Sequence, residues 1–174
     1  MVVDNQTIYS LLSGHDSTNN DTYHDLCNTI TNNFDAILHS GRKLPFDWSG
    51  PIEWRYRELN KPADRVCNIT FDTETSFTWK QPNYDSFINN NNNLYISSDG
   101  GCRYKGHSAT GWRIIAVHSD NNTAVVIAHG GTLIKQNLPS LHVELLALKE
   151  VTDLLYDTIV NNDNNKRQTT TRQH

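Results

Sequence analysis

Residues 94–101 read LYISSDGG, an alternating pattern that predicts a short strand ending on Asp99 and two glycines. Such a strand delivers the Asp99 carboxylate at a sheet edge where the backbone has just turned. Asp-Gly is also ordinary turn chemistry, so the dipeptide alone leaves a plain turn open. The residues that follow weigh against that. Residues 107–134, HSATGWRIIAVHSDNNTAVVIAHGGTLI, read as two long strands joined at Asp120, Asn121 and Asn122. Residues 141–156, LHVELLALKEVTDLLY, then read as a helix with Glu144 in its first turn.

At 174 residues the chain suits one domain with a real core. A formal charge of -4 and a pI near 6.0 argue against gripping nucleic acid by bulk positive charge, leaving only local Lys and Arg for such contacts. Basic residues cluster weakly at Arg42 and Lys43, across residues 55–61, at Arg103 and Lys105, and at Lys166 and Arg167. The three cysteines, Cys27, Cys67 and Cys102, are widely spaced and form neither a zinc pattern nor a disulfide framework. No apolar run approaches membrane-spanning length, and the opening MVVDNQT lacks a signal-peptide pattern. The expectation is an intracellular chain, nuclear or cytoplasmic, with no membrane partner. The eight histidines are scattered singly, as surface or half-buried side chains are.

In order along the chain, residues 1–4 suit a very short strand, and residues 6–12 a helix stopped by Gly14. Asp4 lies between them, where it could simply cap the helix. Residues 21–38 predict a helix with Tyr23, Leu26, Cys27, Ile30, Phe34, Ile37 and Leu38 on one face. Residues 42–51 read as a Pro-containing loop, and residues 52–56 alternate as a half-buried strand. Another helix follows, with Asn60 as its cap, Pro62 in its first turn, and Ala63, Val66, Cys67 and Phe71 facing inward. Asp64 sits in that first turn, where an acid is favourable for purely structural reasons. Residues 73–93 end in five asparagines and read as a linker with an anchor at Phe77 and Trp79. Residues 161–174 are polar and are expected to be disordered.

The words DGGCRYKGHSATGW and HVELLAL resemble the first half of a ribonuclease H domain: a first-strand aspartate, a three-strand meander, then a helix-borne glutamate. The word VVDNQTIYSLLSG resembles the third-carboxylate segment of that family. RELNKPAD resembles the last motif of its retroelement forms, Arg-Glu-x-Asn followed by Ala-Asp. Read cyclically from the linker, the carboxylates run Asp99, Glu144, Asp4, Asp64, which is the family order. The resemblance covers residues 1–72 and 94–159 and implies a circularly permuted domain, whose chain ends would be neighbours. The fold it implies is α/β, with a mixed five-stranded sheet and helices on both faces. Residues 1–160 would form one domain, 1–72 being the second half in family order, 73–93 the linker and 94–160 the first half.

The implied activity is hydrolysis of the RNA strand of an RNA–DNA hybrid with two magnesium ions, manganese being a substitute. By resemblance, Asp99 would bridge both ions, Asp64 would complete the site of the attacking water, and Glu144 with Asp4 would hold the leaving-group side. Gly100, Gly101, Cys102 and Arg103 would let the cut strand approach, with Lys105, Arg57 and Ser140 as further substrate contacts. Ser140, Leu141 and His142 stand where many members have a Thr-Asn-Asn run that contacts the hybrid. The mobile histidine of bacterial relatives has no clear equivalent. Two other classes stay open: an inactive ribonuclease H-like scaffold or binding module, and a fragment spanning two tandem retroelement domains. A monomer is expected over a domain-swapped dimer.

Overall fold

A computed structural model of the chain describes residues 2–3, 5–40, 53–54, 60–89, 93–103, 106–118 and 123–161. In chain order the elements are β1 (Val2–Val3), α1 (Gln6–Leu12), α2 (Asp21–His39), β2 (Glu53–Trp54), α3 (Lys61–Thr73), β3 (Phe77–Lys80) and α4 (Tyr84–Asn89). They continue with β4 (Asn93–Arg103), β5 (His107–Val117), β6 (Ala124–Gly131), β7 (Leu133–Ile134), α5 (Ser140–Tyr156) and a π-helical turn, Asp157–Asn161.

The strands form one mixed sheet in the order β2-β1-β4-β5-β6-β3, with β7 also paired to β5. β1 runs parallel to both β2 and β4, Val2 lying opposite Ser97, and every other pairing is antiparallel. Strands from residues 1–72 and from residues 94–159 therefore share one sheet, with β4 between β1 and β5.

The five expected strands are joined by two more. β3 comes from the stretch read as a linker; it pairs with β6 from Phe77 opposite Gly131 to Lys80 opposite Ala128. α4, from the same stretch, buries Tyr84 and Ile88 in the main core. Neither element leaves a period in the sequence, because β3 is four residues long and largely exposed and α4 is six residues long. β4 is also longer than expected. Asp99 lies inside it, paired with Gly111, rather than at its end.

α5 is the central helix. Its Val151 and Leu155 pack on Ile96, Trp112, Ile114 and Ile127 of the sheet, whereas Leu145 and Leu148 pack on Ile8 of α1 and Leu26, Ile30 and Phe34 of α2. Each fully buried Ile or Leu stabilises the fold by about 1.5–3 kcal/mol. The heptad-like spacing of the apolar residues of α2 thus buries one stripe against another helix, not against strands. On the opposite face of the sheet α3 packs through Cys67 and Phe71 against Ala109. All three cysteines are free. Among the described residues no helix is long and apolar enough to cross a membrane.

Candidate functional site

Close packing at two glycines brings α3 and α5 onto the same stretch of sheet. A Cβ at Gly100 would run into the Val143–Glu144 backbone of α5, and one at Gly111 into the Ala63 and Cys67 backbone of α3. Gly100 and Gly111 lie on opposite faces of the sheet, because Gly111 pairs with Asp99. Each helix is therefore seated directly on strand backbone beside Asp99, one above the sheet and one below. Only glycine leaves room for that approach.

α3 is fastened by its first residue. Asn60 occupies the N-cap position but makes no capping hydrogen bond. Its buried Nδ2 instead donates to the Ser98 carbonyl at 2.8 Å, tying the start of α3 to the residue before Asp99. The cap expected of Asn60 is thus replaced by a tertiary hydrogen bond. Asn5, not Asp4, caps α1, its Oδ1 accepting from Thr7 N at 2.9 Å and Ile8 N at 3.4 Å. The purely structural role open to Asp4 is already filled.

These elements enclose a cavity of about 620 Å³. Asp99 lines it from β4, Glu144 from the first turn and a half of α5, Asp64 from the first turn of α3, and Asn5, Gln6 and Thr7 from the start of α1. Gly100, Gly101, Cys102, Arg103 and Ser140 line it as well. Asp4, Lys105 and Arg57 lie outside the described residues, although both neighbours of Asp4 are described, Val3 in β1 and Asn5 on the cavity wall.

The local partners refine several expectations. Ser140 Oγ donates to Glu144 Oε1 at 3.2 Å, which orients that carboxylate from one turn away. Arg103 is held on α3: it bonds Asp72 at 2.7 Å and Asn68 at 3.1 Å and lies over the Phe71 ring, 4.6 Å from its centroid. Gly100 serves the seat of α5. Cys102 Sγ donates to the Leu138 carbonyl at 2.7 Å, bracing the segment that leads into α5.

Cys67 reports the field of the site. Burial first, then the charges of Asp99 and Asp64, push its thiol up to about 12, against smaller lowering by a Gly101 backbone hydrogen bond and Arg103. Two acids from different elements therefore act on one thiol. Cys67 stays protonated, donates to the Ala109 carbonyl at 3.1 Å, and offers no thiolate to a metal. The remaining donors are hard carboxylate oxygens, which suit magnesium or manganese. Among the described residues no three His, Cys, Asp or Glu side chains converge closely enough to hold an ion by themselves. The donor chemistry fits a divalent cation, and the described acids are set around the cavity wall.

No protein-family model and no curated protein matches the chain. Cys67 and Asn5 line the site and Asn60 braces it, although the sequence marks them only as core, helix start and cap. Asn60 has one legible signal, its place in RELNKPAD four residues before Asp64.

Proposed function

We propose that this chain is a metal-dependent endonuclease that hydrolyses the RNA strand of RNA–DNA hybrids, built on a circularly permuted ribonuclease H-like domain. One observation supports the reading above all. Carboxylates far apart in sequence, Asp64, Asp99 and Glu144, line a single cavity together with the residue that follows Asp4. A scaffold has little reason to gather acids that repel one another.

Asp99, Asp64, Glu144 and Asp4 would hold two magnesium ions. When bound, such ions make a water nucleophilic at neutral pH and stabilise the departing oxygen of a phosphodiester. The chain's own residues prepare the site: Ser140 fixes the Glu144 carboxylate, Asn60 holds α3 against the Asp99 strand, and the Cys67 thiol keeps its proton beneath them. Arg103, committed to Asp72 and Asn68, shapes the rim more than it grips a phosphate.

The test is cleavage of a labelled hybrid by purified protein with magnesium or manganese. Asp99→Asn is expected to lower the rate by more than about a hundred-fold, a loss that outer-shell partners of metal sites alone can already cause. Asp25→Asn, an exposed change on α2, is expected to leave the rate unaltered. A wild-type protein that cuts no hybrid ends this reading, and one that binds the hybrid without cutting it is the binding module instead.

A further inference from the structure

α3 covers only one end of its face of the sheet. Beneath it lie Gly101, Gly111 and Gly131, with Thr70, Cys67 and Phe71 as the nearest helix groups. Two residues back along β4 the register gives a cross-strand row, Ser97 opposite Arg113, Arg113 opposite His129, and His129 opposite Trp79. Paired residues point to the same side, so this row shares the face of Asp99.

The row is half-buried at Ser97, Arg113 and His129 and opens to solvent at Trp79. Trp79 is 42% exposed and Tyr95, two residues from Ser97 on the same face, is 54% exposed, the two most exposed large aromatics of the described chain. The Trp79 and His129 rings stack at 5.0 Å and 22°. Arg113 is half-buried beside them, and among the described residues it has no ion-pair partner. Across β4, β5, β6 and β3 the only carboxylate on this face is Asp99.

We infer that this open part of the sheet is a docking platform for a single nucleic-acid strand, the unpaired segment continuing from a hybrid held at the Asp99 cavity. The inference rests on the proposed activity for the source of that strand. The chemistry is its own. Exposed flat rings offer stacking surface to any base, and a guanidinium between them with no ion-pair partner among the described residues matches a phosphate, on strands whose one carboxylate on this face is Asp99, at the cavity end. The scale also fits. Strands spaced about 4.8 Å apart set Trp79 some 14 Å across the sheet from β4, and Tyr95 lies about 13 Å along β4 from Asp99, each a span of a few nucleotides.

Binding of a labelled single strand of about ten nucleotides, measured by anisotropy without metal, tests the platform. Trp79→Ser and Tyr95→Ser are each expected to weaken binding roughly ten-fold, and Trp79→Phe to restore most of it by keeping a ring for stacking. Arg113→Gln is expected to reduce the salt dependence by about 0.7 in the log–log slope, the value for one contact to a single strand. A hybrid with a single-stranded overhang should bind more tightly than a blunt one, and Asp99→Asn should keep that difference. Equal affinities for wild type and both serine variants overturn the platform, as does indifference to the overhang. Cleavage of blunt hybrids judges the nuclease reading separately: a protein that binds the strand through Trp79 but cuts nothing keeps the platform and loses the nuclease.

Discussion

Glu150 is a carboxylate that the site does not use. It sits one face away from the cavity, on the sheet side of α5, where Oε2 accepts from Thr110 Oγ1 at 2.7 Å. Burial raises its pKa above the ordinary 4.5, opposed by hydrogen bonds from Thr110, Thr132 and Trp112 and assisted by the nearby Asp153 charge. A raised pKa means that the folded chain holds this proton more tightly than the unfolded chain does. Its contribution is most favourable below the unfolded value and declines as pH climbs from about 4.5 through the raised folded value. Urea melts across that window should show this decline, and Glu150→Gln, which never ionises, should flatten it. An unchanged pH profile in Glu150→Gln would mean that other groups set it. Gly100 makes the opposite kind of demand, for absence of a side chain. Gly100→Ala should cost about 1–3 kcal/mol, since backbone on α5 would have to move, and calorimetry should find a melting point several degrees lower.

α3 carries both a site residue and the tie that positions it. Asn60→Ala would leave the Ser98 carbonyl buried without its donor, a loss of about 1–3 kcal/mol. It should also reduce hybrid cleavage beyond what reduced stability explains, measured well below the melting temperature, because Asp64 rides on the same helix turn. Activity that merely follows the folded fraction would reduce Asn60 to a structural role. Much at this scale was legible in the sequence. α1, α2, α3 and α5 follow from apolar spacing, Gly14 and Pro62, and the pairing of β5 with β6 follows from two alternating runs around Asn121. Asp99, Glu144 and Asp64, singled out from separate motifs, line one cavity. What stayed hidden was tertiary in origin: β3 forms because β6 offers an edge, and α4 because Tyr84 and Ile88 find the core. Arg103, which looked like a strand contact, is claimed by Asp72 and Phe71, residues thirty or so positions away that no local pattern links to it.

For the whole molecule, if the acids around the cavity take up a cation as proposed, its binding should stabilise the fold. Magnesium at a hundred times its dissociation constant should add about 2.7 kcal/mol, seen as a rise in melting point that Asp99→Asn lacks. Light scattering at low concentration should return a single chain, since β1 and β2 reach β4 within the same sheet; a dimer mass would point to exchange of these strands between copies. That placement of β1 has a bearing on biosynthesis. β1 precedes its partner β4 by about ninety residues, and at about 5–20 residues per second the ribosome needs roughly 5–20 s to supply it. Until then the nascent chain has two short parallel strands with no sheet to complete and the apolar stripe of α2 with no α5 to cover it. Folding of β1, β2 and α2 must therefore wait for β4 and α5, and chains cut short before β4 should appear in the cell as chaperone-bound or aggregated material, not as a smaller stable domain.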